Sequence, residues 1–335
     1  PPYLPTSVYI PGWSKSFAKY LGSHTTLNVF WISHHAIMKY APIIIFAFNR
    51  LESLKATVSS VLRNTEAAES DLFVFVDGAR HDKDGEADKV QAVQEYVKTI
   101  TGFKSVTTHF SEINKGLGPS IISGVTEVIN KFGRAIVIED DLILSNNCLS
   151  FMNQGLDKYE DEQRVFSICG YSNKVKCPKD YDCDSYFCVR SSSWGWATWS
   201  DRWHSVDWDL KDWEKVQSFK SAFNRWGGSD SFGMLKGWKE GRNKSWAIRF
   251  CFSQFLQDKL SLFPVISKID NRGFDGGGTN CRRYSRFKFE FDSSNKTDFK
   301  FPATITMKPH FRKAALSYHS IPKRIWSRIM YMIYK

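Results

Sequence analysis

Three consecutive acids, Glu139-Asp140-Asp141, stand directly after the apolar run Ala135-Ile-Val-Ile138. Carboxylates crowded in this way repel one another unless a cation joins them. Mg²⁺ or Mn²⁺ suits such a place, because these ions take carboxylate, phosphate and water oxygens. They need only one or two protein carboxylates when a substrate's phosphates complete the shell. A cation there would neutralise charge building on a departing diphosphate without proton transfer, and Asp141 alone could serve as its ligand. The competing reading is that the acids cap the helix that follows, where Asn146 and Asn147 are also available and negative charge is favoured.

The elements that must position these acids are legible as alternating patterns. Residues 43–48 form a continuous apolar run, and Leu51, Leu54, Val58, Val61 and Leu62 then recur at helical spacing. Residues 72–76 repeat the strand signal and end in Asp77-Gly78, before a second helical face at Val90, Val93, Tyr96 and Val97. A third strand is expected near 106–110, a third helix over about 119–131 and a fourth strand at 135–138. Strands alternating with helices imply an α/β fold with a mostly parallel sheet and right-handed crossovers. Ligands of such sheets sit beyond the carboxyl ends of the strands, so Asn49-Arg50, Asp77-Gly78 and the three acids are expected to be neighbours. Asp77 could accept hydrogen bonds from a base or ribose, or simply make a turn before Gly78. Arg50 could pair with a phosphate or with Asp77. Residues 48–52 lack the glycines of a dinucleotide-binding fingerprint.

Composition narrows the class. The chain is 15% aromatic with 26 Phe and 12 Trp, far too rich in core-forming residues for a disordered protein. A net charge of +11 favours phosphorylated substrates, polyanions or anionic lipid without choosing among them. Seven scattered cysteines lack the pattern of a secreted disulfide scaffold, which favours a reducing, cytoplasmic setting. Cys169, Cys177, Cys183 and Cys188 lack the paired spacing of a zinc site. We divide the chain into residues 1–37, a leader or upstream segment without assigned function; 38–165, an α/β half that presents the three acids; 166–320, a second half of the same domain that covers the sheet; and 321–335, a basic amphipathic helix. Met38 reads as a natural start.

Several motifs together resemble bacterial glycosyltransferases of the GT-A fold, Rossmann-like transferases of nucleotide-diphospho-sugars. These are Pro42-Ile-Ile-Ile-Phe-Ala-Phe-Asn-Arg50, Asp77-Gly78, Asn114-Lys-Gly-Leu-Gly118, Ile138-Glu-Asp-Asp-Leu142, Trp194-Gly-Trp-Ala-Thr-Trp199 and Gly273-Phe-Asp-Gly-Gly-Gly-Thr279. The nearest likeness is to the group related to animal N-acetylglucosaminyltransferase I and to sugar transferases of bacterial surface polysaccharide synthesis. The resemblance implies that Asp141 binds the metal and that Asp140 and Glu139 contact the nucleotide sugar. Asn49, Arg50, Asp77, Gly78 and Lys115 would lie near the rest of the donor. It also implies an inverting displacement with a carboxylate base. In the segment Ser245-Trp246-Ala247-Ile248-Arg249, where the animal enzyme carries its acid after a Trp, this chain has none. Asp275 and Glu240 are the nearest alternatives for that base. Trp194, Trp196, Trp199 and Arg249 are expected on the acceptor side, with some of the rings stacking on sugar and others filling core. His310 and His319 lie near the C-terminal end, where some enzymes of this fold supply a second metal ligand.

The expected activity is therefore transfer of a hexosyl or N-acetylhexosaminyl group from a nucleoside-diphosphate sugar, with UDP favoured, to a hydroxyl of a glycan or lipid-linked acceptor. Mn²⁺ or Mg²⁺ is the expected cofactor, with peripheral contact at the inner face of an anionic membrane and no nucleic-acid partner. Two other readings compete: a non-enzymatic polyanion- or membrane-binding protein, and a nucleotidyltransferase, whose Gly-rich phosphate loop after the first strand is missing.

Overall fold

A computed structural model describes residues 39–275 and 284–333. The reading of Met38 as a start, the leader segment and most of the Gly-rich loop at 273–279 lie outside the described residues. Four parallel strands and three crossover helices open the described chain, as the alternating pattern requires: β1 (Ile43–Ala47), α1 (Leu51–Leu62), β2 (Asp71–Val76), α2 (Glu86–Lys98), β3 (Ser105–Phe110), α3 (Leu117–Phe132) and β4 (Arg134–Glu139). A short strand, β5 (Leu142–Leu144), then α4 (Cys148–Lys158) and β6 (Val165–Cys169) follow. Next come β7 (Ser185–Cys188), β8 (Trp196–Trp199), five helices, α5 (Ser200–His204), α6 (Trp213–Ser218), α7 (Lys220–Gly227), α8 (Ser231–Lys239) and α9 (Ala247–Leu256), and the strands β9 (Leu260–Pro264) and β10 (Ile269–Asn271). Helices α10 (Pro309–Ser317) and α11 (Ile321–Ile333) end the described chain.

Eight strands form one sheet in the order β3-β2-β1-β4-β8-β6-β9-β7. β8 runs antiparallel to both neighbours and β7 antiparallel to β9, while the other adjacent pairs are parallel. The fold is thus α/β with a mostly parallel central sheet. β1 and β4 are buried along nearly their whole length, which demands apolar cover on both faces. Leu54, Val58 and Val61 of α1 and Val90, Val93 and Val97 of α2 pack on one face. Ile121, Val125, Val128 and Ile129 of α3 pack on the other, beside Trp196, Trp203 and Phe250.

Register places the polar clusters. Phe46 of β1 lies opposite both Phe75 of β2 and Glu139 of β4. The three strands therefore end together, and Phe48–Arg50, Asp77-Gly78 and Asp140-Asp141 emerge at one edge. After β1 the chain builds outward to β2 and β3, then returns to place β4 on the other side of β1. That reversal opens a crevice between β1 and β4, the usual ligand position in an open α/β sheet.

Candidate active site

The three acids leave β4 at that crevice. β5 separates them from α4, and Asn147 occupies the N-cap position of that helix, so the helix-capping reading fails on geometry. Asp140 accepts a hydrogen bond from the Phe48 amide at 3.3 Å, which ties the first acid pair to the end of β1. Arg50 Nη1 donates to Asp141 Oδ2 at 2.9 Å, with the two side chains only 16% and 17% exposed. Burial, and then the charge of Asp141, push the Asp140 carboxyl up to about 7. Glu139 is raised well above the carboxylate range for the same reasons, with Asp140 adding to the repulsion. Three partly buried carboxylates thus share a crevice in which Arg50 is the counter-charge that touches Asp141. This residual negative charge suits a divalent cation. Among the described residues no three His, Cys, Asp or Glu side chains converge on one metal position, so an ion held here would have to draw most of its ligands from phosphate and water.

A segment more than a hundred residues away completes the crevice. β10 pairs antiparallel with β5, setting Asn271 opposite Leu142 and Asp270 opposite Ile143. The turn that follows lies directly on Asp141, whose carbonyl accepts from the Arg272 amide at 2.9 Å. A Cβ at Gly273 would stand 2.3 Å from Asp141 Oδ2, so any larger residue here would push the Asp141 carboxylate out of its present position. Asp275 closes this short 3₁₀ turn, and its side chain lies outside the described residues. Sequence spacing gave no sign of Asp270, a largely buried acid of the same segment, which pairs with Arg272 at 2.5 Å.

The second cluster serves the backbone. Asp77 accepts from the amides of Gly78 at 3.0 Å, Lys115 at 2.9 Å and Gly116 at 2.8 Å, and the Asn114 side chain donates to the Gly78 carbonyl at 2.8 Å. A Cβ at Gly78 would come within 2.5 Å of the Ile113 backbone. Asp77-Gly78 therefore fixes the loop before α3, leaving the exposed Lys115 at the mouth of a groove between α3 and residues 238–249. Asn49 donates to Glu86 at 3.0 Å. Arg80 also pairs with Glu86, so Asn49 ties the end of β1 to α2.

The residues expected on the acceptor side divide. Trp196 and Trp199 are 1% and 2% exposed and point to opposite faces of the sheet. They are core residues rather than acceptor-side platforms, because β8 is covered on both faces. Arg249 faces the groove on the α3 side, its guanidinium 4.4 Å from the Trp238 ring and 5.5 Å from the Trp208 ring. Glu240 sits at the exposed end of α8, held by Arg242 and Lys236, with no contact to the acids of β4 among its described partners. Trp194 is the exception. Its ring meets Phe274 at 5.6 Å, Tyr171 at 4.5 Å and Phe287 at 5.5 Å, and it lines a recess of about 310 Å³. The chain of contacts Asp141, Gly273, Phe274 and Trp194 joins the acid crevice to this recess. Ala247 and Ile248, from the segment that carries no acid after Trp246, also line it. His310 hydrogen-bonds the Lys176 carbonyl, and His319 lines the recess.

No protein-family model matches the chain, and no curated protein matches it. Among solved structures, the mannosyltransferase PcManGT from Pyrobaculum calidifontis in complex with GDP-Man and Mn²⁺ is similar at 11% identity and a TM-score of 0.34, over 52% of each chain. S. aureus TarS is similar at 12% identity and a TM-score of 0.37, over 68% of this chain and 35% of that one. The chain thus spans about half the length of the first and a third of the second, and at these scores neither likeness assigns a role to any residue.

Proposed function

We propose that this chain is a metal-dependent glycosyltransferase of GT-A type that moves a sugar, with inversion, from a nucleoside-diphosphate donor to a hydroxyl of a glycan or lipid-linked acceptor in surface polysaccharide synthesis. UDP is the favoured nucleotide. The observation that carries this reading is the convergence of Arg50, Asp140, Asp141 and the Gly273 turn at the crevice between β1 and β4. Asp141 would hold Mn²⁺ or Mg²⁺ with Asp140 beside it, and the ion would supply charge neutralisation at the donor diphosphate. Arg50, beside Asp141, would supply a guanidinium to a phosphate oxygen of the donor. Glu139, Asn49, Asp77, Gly78 and Lys115 shape the donor crevice.

The acceptor hydroxyl attacks the anomeric carbon from the recess side. Its oxygen forms the new bond as the bond to the diphosphate breaks, and its proton passes to a carboxylate. The 270–275 segment supplies that base, from Asp275 or Asp270, because it lies between the acid crevice and Trp194. Incubation with UDP-, GDP- and dTDP-sugars and Mn²⁺ should release one nucleoside diphosphate, and EDTA should stop the release. Failure with every donor, using folded protein, would sink the proposal.

Helix α11 favours a membrane-borne acceptor. Ile321, Ile325, Trp326, Ile329, Met332 and Ile333 are exposed, Trp326 by 56%, and Lys323, Arg324 and Arg328 interrupt them. A basic helix with an uncovered apolar stripe lies in a lipid interface. No helix among the described residues is long and apolar enough to cross a membrane, so contact would be peripheral. Ile325→Glu with Ile329→Glu should weaken sedimentation with phosphatidylglycerol-containing vesicles by about tenfold or more. Unchanged sedimentation would remove the membrane role.

A further inference from the structure

The recess beside Trp194 holds a concentration of positive charge that the transfer reaction does not use. Arg190, Arg286 and His319 line it, and Asp230 is its one acid among the described residues. Asp230 is already taken: Arg190 Nη1 donates to Oδ1 at 2.6 Å and Nη2 to Oδ2 at 3.3 Å. Arg190 also donates to the Gly227 carbonyl at 2.7 Å, so this pair holds the α7–α8 turn.

Arg286 is different. Its Nε donates to the Tyr318 carbonyl at 2.9 Å, and its Nη2 stays 3.9 Å from Asp230 Oδ2, beyond hydrogen-bond range. Its side chain is 18% exposed, and among the described residues no hydrogen bond uses either of its Nη groups. His319 Nδ1 is buried 3.6 Å from Asp230 Oδ2, beyond hydrogen-bond range. Burial and Arg190 hold the imidazole down at about 4, so it is neutral near pH 7. Two guanidinium groups against one carboxylate leave a half-enclosed space with excess positive charge, and a guanidinium fork matches a phosphate in geometry.

The foot of the lipid-facing helix is pinned to this same recess. Ser229 Oγ donates to the His319 carbonyl at 2.8 Å and Arg324 Nη1 donates to Ser229 Oγ at 3.1 Å. Residues 319 and 320 lead straight into α11. We propose that the recess is a phosphate-binding subsite for the acceptor, in which Arg286 grips the phosphate oxygens, with Arg190 adding charge and Trp194 walling the side toward the donor. It deepens the transferase reading and rests on it for the word acceptor; the phosphate site itself stands on the recess alone.

The test is equilibrium binding of glucose 1-phosphate and of glucose, followed by tryptophan fluorescence, to the wild type, Arg286→Ala, Arg286→Lys and Asp141→Ala. The phosphate sugar should bind and neutral glucose should not. Arg286→Ala should weaken binding at least about tenfold, and Arg286→Lys should recover only part of it. Asp141→Ala should leave it unchanged, which separates this subsite from the donor crevice. Equal binding by Arg286→Ala, equal binding of glucose, or loss in Asp141→Ala would overturn the proposal, as would no binding to folded wild type. Competition by phosphatidic acid vesicles would place the natural phosphate on a lipid, and its absence would place it on a soluble sugar phosphate. Failure of nucleotide binding with an intact recess response would count against the transferase reading instead.

Discussion

Asp141→Asn should lower donor turnover by about 10²–10³-fold, the usual cost of weakening a preorganised cation at the developing anion, with little change in folding. The side chain lies at the mouth of a crevice, and its described partner, Arg50, would still reach an amide oxygen in the variant. The loss should not be recovered at high Mn²⁺, because a neutral amide is a poor ligand for a hard cation. Arg50→Gln should act differently. It removes the cation now paired with Asp141, so metal should bind more tightly without nucleotide while turnover still falls. Turnover of Asp141→Asn within threefold of wild type would place the metal, if one is used, elsewhere.

The largest effect on stability is expected at Asp230. Its carboxylate is held far below the usual range: burial opposes the charge, but the nearby His319 and the hydrogen bonds and charge of Arg190 outweigh it. Asp230→Ala would leave the guanidinium of Arg190, 13% exposed, buried without its acid. Breaking one side of such a pair costs about 3–5 kcal/mol, readable from urea denaturation. The neighbouring His319 sets a pH dependence. Its folded pKa of about 4 lies below the unfolded value of about 6.5, so the unfolded chain binds the extra proton between those limits. Stability from this site is complete above about pH 6.5 and falls as pH drops toward 4, by on the order of 3 kcal/mol. Arg190, Arg286 and Asp230 face the ring, and the two guanidiniums oppose its protonation. His319→Gln should flatten this part of the profile; an unchanged slope would show that the ring titrates normally.

The parallel half of the fold was legible because each strand is an apolar run followed by a helical face, and register then had to bring the three polar clusters to one edge. The acids of β4 were legible for the same reason. β8 was harder to read. Its four residues are buried on both faces, so no alternation distinguished strand from helix, and nothing in the sequence separated its core tryptophans from the rings expected to stack on sugar. Asp77 was visible as a strand-end acid, but its bonds to the Lys115 and Gly116 amides depend on a loop nearly forty residues away. The Gly273 turn reaches Asp141 only through the β5–β10 pairing, which two three-residue strands do not announce. The recess is the extreme case: Arg190, Asp230, Arg286 and His319 come from four separate segments, and no spacing relates them.

The central claim is that the crevice between β1 and β4 binds a nucleoside diphosphate through a metal held by Asp141. Thermal unfolding of wild type and Asp141→Ala with UDP, GDP, CMP and dTDP compounds, in Mn²⁺ or in EDTA, tests it most directly, since a ligand of the native state raises apparent stability. The account predicts a shift for one base, strongest for UDP, that needs the metal and disappears in the variant. A shift that persists in EDTA or in Asp141→Ala, or no shift with any nucleotide on folded protein, would contradict it.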